Sequence, residues 1–349
     1  MEDKDLKRKN RRKRKKYRLL ILLLLLFGTG IMLATSTYAW FTANKTVSIG
    51  TLQVKIEAKN GIQISADGTN WKSIVQKADL TGASGTYGAA LNQLPSVLEA
   101  VSTTGEVDAD GHLPMYYGTI GTNADGNYIL TSTKETDVDD DTGNVGKYIA
   151  FDLFFKVDSD TDIYITNNSG VKTTDTTDTG IKNASRIAFV TLGNTSAGSA
   201  VATIQALNEG TNSTVHIWEP NYDSHTAAGV ANARDVYSTT TNEGTGNAIL
   251  SYSGVKSEIT TDDNVLLGNA KEANDSTKFK DVSITYKTKA GFTHYIPASQ
   301  LKSGITKVRI YMWVEGQDVD CENNASNGNI SFDLQITTEL PEGTATTES

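Results

Sequence analysis

The segment Ile330-Ser331-Phe332-Asp333-Leu334-Gln335-Ile336 alternates apolar and polar residues at every step. A period of two suits only an extended strand with one buried face, because successive side chains of a strand point to opposite sides. The signature recurs along the chain. Leu52-Gln53-Val54-Lys55-Ile56-Glu57 carries its apolar residues on even positions, and Tyr148–Val157 carries them on every odd position from Ile149, with Phe154 breaking the polar face. Ile163–Ile165, Arg186–Leu192, Val282–Tyr286 and Val308–Val314 read as further strands, and Ile62-Gln63-Ile64 followed by Asp67-Gly68 and Trp71 reads as a hairpin. Gly, Asn, Asp and Thr turns separate these runs, and no strand-helix-strand pattern repeats. The expectation is a mainly β protein, an antiparallel β-sandwich, with short helices at Ala90–Val101 and Ala200–Asn208.

Two interruptions organise the rest. Val47 and Ile49 fall on odd positions just before the even-numbered run at Leu52, so Gly50-Thr51 is expected to hold a bulge or hinge. Gly193–Asp275 is rich in Thr, Ser, Ala, Asn and Gly and poor in large apolar residues, which reads as a long irregular insertion. The sandwich is thereby divided into residues 40–192 and 276–340, with a disordered tail expected over 341–349.

Ahead of the sandwich, eleven Lys/Arg residues crowd into Met1–Arg18, and the apolar run Leu19–Phe27 leads through Ala34 to the small residues of Ala34-Thr35-Ser36-Thr37-Tyr38-Ala39. Cations held on the cytoplasmic side, an apolar core and a small-residue end make an export signal over residues 1–39, with an apolar helix at its centre. Small-x-small cleavage sites stand at Ala34-Thr35-Ser36 and Thr37-Tyr38-Ala39. Left uncleaved, residues 19–41 are long enough to anchor the chain across roughly 30 Å of hydrocarbon. Removing Met1–Ala39 takes away eleven cations and three anions, so the formal charge of -9 becomes -17 for Trp40–Ser349. Such a surface is repelled by nucleic acid and anionic lipid, and attracts divalent cations or cationic wall polymers. With Cys321 as its sole cysteine the chain makes no internal disulfide.

The run Ser36-Thr37-Tyr38-Ala39-Trp40-Phe41-Thr42, followed by Val47-Ser48-Ile49-Gly50-Thr51-Leu52, resembles the start of the TasA/camelysin-type exported proteins of Gram-positive bacteria. The match is confined to Ser36–Leu52. The resemblance implies export through a dedicated signal peptidase that cuts between Ala39 and Trp40, a jelly-roll-like mature sandwich, and extracellular biofilm fibres. It also implies self-assembly by an N-terminal strand carrying Trp40, Phe41, Val47 and Ile49. The expected protein is therefore a non-enzymatic surface or matrix component at the cell surface or outside the cell. Its partners are the peptidase during export, then copies of itself or cell-surface polymers. The competing readings are a membrane-tethered adhesin or glycan-binding module and a secreted metal-dependent hydrolase.

The inventory of chemistry is thin. None of His112, His216, His225 and His294 lies in a His-Glu-x-x-His pattern, although His216, Glu219 and His225 are close in sequence. Carboxylates cluster at Asp137/Asp139/Asp140/Asp141, Asp158/Asp160/Asp162 and Glu315/Asp318/Asp320/Glu322. No cofactor is expected; calcium is the candidate ion, with Asp158, Asp160 and Asp162 at a strand end as its ligands, because calcium takes several hard oxygens from a loop. No catalytic residues are assigned. Tyr311 and Trp313 share one face of Val308–Val314, which fits either core packing or an aromatic glycan platform.

Overall fold

The computed structural model describes residues 46–48, 54–58, 61–95, 97–122, 128–135, 147–173, 179–235, 254–255, 264–267, 279–280, 282–316, 318, 320–321 and 330–340. All of them lie in one unit, Ala39–Ser349. Two sheets form its body. The larger runs in the order β18 (Tyr286–Thr288), β14 (Thr214–Pro220), β13 (Ser185–Thr195), β20 (Gly304–Val314), β10 (Ile149–Val157) and β3 (Gln63–Ser65), with β5 (Asn92–Gln93) also paired to β10. The smaller runs β19 (Ile296–Leu301), β11 (Thr161–Ile165), β21 (Ile330–Thr337), β2 (Val54–Ala58) and β4 (Ile74–Gln76), with β12 (Gly170–Thr173) on β21. A third sheet holds β16 (Asn264–Leu267), β9 (Tyr128–Lys134), β8 (Met115–Thr122) and β7 (Ser102–Thr103). Two short ladders remain, β1 (Thr46–Ser48) with β6 (Val97–Glu99) and β15 (Gly254–Val255) with β17 (Phe279–Lys280).

The protein is mainly β, and its two large sheets face each other across one apolar core. Phe151, Leu153, Phe155, Ile310, Met312 and Trp218 of the larger sheet meet Ile56, Ile163, Phe332, Leu334 and Ile336 of the smaller. Alternation along β21 is realised as read: Ile330, Phe332, Leu334 and Ile336 are buried, and the residues between them are half-buried. β10 and β20 differ from β21 because both of their faces are covered. On the outer face of the larger sheet Tyr148, Ala150, Tyr311 and Trp313 pack with Leu91, Val101, Leu113 and Met115. Phe154 packs there on Tyr87, Ile204 and Ile305, which accounts for its place on the nominally polar side of β10. A strand buried on both faces reads as a near-continuous apolar run.

Several expectations are corrected. The sheets are mixed, not wholly antiparallel, since β2 pairs parallel to β21 and β14 parallel to β18. A parallel ladder needs a long connection between its strands, and these partners are far apart in sequence. Ala90–Val101 holds β5 and β6 instead of a helix, with Pro95 between them, where a helix would lose a hydrogen bond and meet the proline ring. Only the last residue of Val282–Tyr286 is in a strand. Gly193–Asp275 opens with structure that belongs to the body: the end of β13, a helix α2 (Val201–Gln205), and β14, whose Trp218 is fully buried. The expected hairpin is present, with Ile64 and Lys72 exchanging two backbone hydrogen bonds of 2.8 Å. A first helix, α1 (Lys77–Gly82), follows β4, and a third, α3 (Ala227–Asp235), follows β14. Among the described residues no helix is long and apolar enough to cross a membrane. The leader, Ala39, Trp40, Phe41 and Ile49 lie outside the described residues.

Candidate functional site

Three places on the body concentrate interactions that simple packing does not require. The first is the N-terminal ladder. β1 runs antiparallel to β6 with Thr46 opposite Glu99, Val47 opposite Leu98 and Ser48 opposite Val97. Its partner strand is firmly seated, because Leu98 is fully buried in the main core. Of the residues expected in an assembly strand, Val47 is thus placed in a backbone ladder of three residue pairs that belongs to neither large sheet.

The second is an ionic cluster on the outer face of the larger sheet. Register sets Asp152 of β10 opposite Arg309 of β20, and the two form a two-pronged pair, Nε to Oδ1 at 2.7 Å and Nη2 to Oδ2 at 3.2 Å. Lys307 donates to the Tyr87 hydroxyl at 2.8 Å and stands 3.4 Å from Asp152 Oδ2, while the Tyr87 hydroxyl donates to that same oxygen at 3.0 Å. Burial pushes the Asp152 carboxyl up, but Arg309, Lys307 and the Tyr87 hydrogen bond outweigh it and hold the group below the ordinary carboxylate range. Burial pulls Lys307 down, and Asp152 offsets that only in part. Tyr311 on the same face is pushed up to about 12, chiefly by burial. With Asp152 at 0% exposure, this cluster is closed to a substrate and acts as a polar clamp between strands.

The third lies farther along that face. Arg186 of β13 reaches Glu219 of β14 at 2.7 Å and Asp318 at 2.6 Å through the same Nη2. Beyond Asp318, the Asp320 carboxylate accepts from the Thr226 backbone N and hydroxyl, each at 2.8 Å, and meets His225 Nδ1 at 2.7 Å. Thr226 precedes α3, and its hydroxyl accepts the Gly229 N–H, so it caps that helix. Burial lowers His225, but the Asp320 hydrogen bond and the charges of Asp318 and Asp320 raise it above the ordinary imidazole value. Donor atoms of His225, Asp318 and Asp320 all lie within 4.8 Å of one another, the one such group of three among the described residues.

The residues singled out from sequence fare unevenly. Asp158, Asp160 and Asp162 are not brought together as a cation site. Asp160 accepts from Lys302 Nζ and Ser303 N, both at 2.9 Å, and those contacts hold its carboxyl below the usual range. Asp162 accepts instead from Gln300 Nε2 at 3.1 Å, and exposed Asp158 uses its backbone carbonyl to take the Ser303 hydroxyl. His216 and Glu219 lie on opposite faces of β14, since three residues along a strand reverse the side: His216 lines the space between the sheets and Glu219 turns to Arg186. Tyr311 and Trp313 are each 1% exposed, which removes the glycan platform and leaves core packing. Tyr311 accepts a hydrogen bond from Leu113 N, and Trp313 Nε1 donates to Glu315. Asp137, Asp139, Asp140 and Asp141 lie outside the described residues. Cys321 is buried, so its thiol is not presented to a partner.

Two cavities also lie among the described residues. One, about 40 Å³ between the sheets, is lined by Phe155, Ile163, Phe189, His216, Tyr286 and Leu334, among others, and has room for a water or so but not for an organic ligand. The other, about 280 Å³, is an open polar cleft beside α1. Asp67 at its wall is saturated by Ser65, Thr69, Asn70 and Thr86, and Lys72 pairs with Asp79. Sequence reading missed Arg186, Asp152 and Arg309; the only signal was a charge at an otherwise apolar point of a central strand. No protein-family model, no curated protein and no solved structure matches the chain.

Proposed function

We propose that this chain is an exported, non-enzymatic surface or extracellular-matrix protein with a jelly-roll-like fold, whose copies assemble by exchanging their N-terminal strands. The leader over 1–39, the acidic body and the resemblance of Ser36–Leu52 to the TasA/camelysin-type proteins support export, cleavage between Ala39 and Trp40, and location at the cell surface or beyond. Before cleavage, residues 19–41 hold the chain in the membrane.

One observation carries the assembly reading: β1 is joined to the body by a three-residue ladder to β6, apart from both large sheets, while β6 is locked into the core by Leu98. A ladder this short is cheap to open. The same hydrogen bonds form when Thr46–Ser48 of one copy pairs with β6 of the next, so exchange costs little in bonding and is favoured once Trp40 and Phe41 find pockets on a neighbour. Head-to-tail exchange propagates as a filament when the rotation between copies does not close.

Deleting Trp40–Val47 from the exported protein tests this. The expected product is a folded monomer, by circular dichroism and sedimentation, that no longer forms filaments under the electron microscope. Filaments of unchanged appearance would overturn strand exchange. Filaments absent from the intact protein as well would overturn the assembly reading altogether.

A further inference from the structure

We propose that His225, Asp318 and Asp320 form a binding site for one divalent transition-metal cation of the Zn²⁺ or Mn²⁺ kind, which ties the start of α3 to the chain between β20 and β21. This site is independent of strand exchange. The donor set is an imidazole nitrogen and two carboxylates whose ligand atoms lie within 4.8 Å of one another. A mixed nitrogen and oxygen set suits zinc or manganese better than calcium, which takes six to eight oxygens.

Burial makes the case stronger than an acidic cluster on a surface would. The side chains of Asp320, His225 and Asp318 are 0%, 3% and 4% exposed. Glu219 and Asp318 share one buried guanidinium, that of Arg186, and Asp320 beyond them pairs with His225; Lys287 approaches Glu219 only at 3.9 Å and from a half-exposed position. Negative charge in excess inside a protein calls for a cation or a proton. Polar atoms also go unmatched here. Of the eight buried side-chain N and O atoms without a hydrogen-bond partner among the described residues, four belong to this corner: His225 Nε2, Arg186 Nε, and both Oδ1 and Nδ2 of Asn183. Asn183 is 1% exposed, and its backbone carbonyl, not its side chain, accepts from Arg186 Nη1. The turn that carries Asn183 begins at Gly180, where an added Cβ would stand 2.8 Å from Asp320 Cβ, so the chain packs tightly against the carboxylate.

The surroundings also fit the outer support of a metal site. Ligating carboxylates are ordinarily fixed by hydrogen bonds of their own. Asp318 is held by Arg186 Nη2 on one oxygen and by Asp320 N on the other, and Asp320 by the N–H and hydroxyl of Thr226. A cation that takes the proton's place between His225 and Asp320 relieves the charge excess and fixes the helix start in one step.

The test uses the full chain, purified in detergent, stripped with chelator and divided among Zn²⁺, Mn²⁺, Ca²⁺ and Mg²⁺. The expected result is a saturable rise in melting temperature with Zn²⁺ or Mn²⁺, one ion retained per chain after dialysis by elemental analysis, and much smaller shifts with Ca²⁺ and Mg²⁺. His225→Gln is expected to weaken retention at least tenfold while the far-ultraviolet circular dichroism stays native. Asp320→Asn is expected to do the same, and His225→Gln decides alone if that second variant fails to fold. His294→Gln is expected to bind as the parent does. A folded parent that retains no ion, or retention unchanged in His225→Gln, would overturn the site, as would a metal response lost in His294→Gln instead.

Discussion

Asp152 shows what a single residue decides. It is fully buried on the larger sheet, and only its pairing with Arg309, Lys307 and Tyr87 makes that burial tolerable. Asp152→Asn leaves two buried cations without their anion and is expected to cost about 3–5 kcal/mol in urea unfolding. The pH dependence has a definite sign. The folded protein holds the Asp152 carboxyl below its ordinary value, so its contribution is complete above about pH 4, the unfolded value, and is lost as pH falls through the folded value. The stability difference between parent and Asp152→Asn is therefore expected to be largest at neutral pH and to shrink in acid; a gap that stays constant down to strong acid would contradict the pairing. Gly304 decides a different matter. Its φ is +108°, and a Cβ there would fall 2.2 Å from the Thr195 carbonyl oxygen, so Gly304→Ala is expected to destabilise by more than about 1 kcal/mol in the same assay.

At the scale of the element, strands differ by how many of their faces are covered. β21 buries one face, so truncating Phe332 to Ala is expected to cost about 3–5 kcal/mol, whereas Ser331→Ala next to it stays within about 0.5 kcal/mol. Equal losses at the two positions would mean that the register of β21 is wrong. β20 is buried throughout, and its two faces do different work: Ile310, Met312 and Val314 hold the sandwich, while Arg309, Tyr311 and Trp313 hold the outer layer. The alternation of β21 was visible in its sequence. The double burial of β20 was not, because a continuous apolar run fits several environments until the segments that cover it are placed.

For the whole molecule, the proposed export and assembly rest on the leader and the first strand. Ala39→Lys is expected to block cleavage after position 39, because a peptidase pocket built for a small residue excludes a long cation. Mass analysis of the exported protein reads this directly, and a mature N-terminus still at Trp40 in the variant would reject the assignment. β1 is the only described part of that N-terminal segment, and in the proposed assembly its short ladder to β6 is the joint at which one copy would pass its strand to another.

Strand after strand was legible because a half-buried strand must alternate, and β2, β3, β11, β13 and β21 carry that alternation or its buried variant in their own residues. Local chemistry also marked the hairpin at Asp67-Gly68 and, through Pro95, contained the reason why no helix forms over Ala90–Val101. What the tertiary structure alone decided is which distant residues meet. Asp152 finds Arg309 through the register of β10 with β20, and Arg186 finds Glu219 through that of β13 with β14. The gathering of His225 with Asp318 and Asp320 joins a helix start to a loop ninety-five residues away in sequence from His225 to Asp320. Spacing in sequence carries no trace of such a meeting, because long-range pairing is fixed by the shared burial of whole sheets and not by any local preference of the residues it brings together.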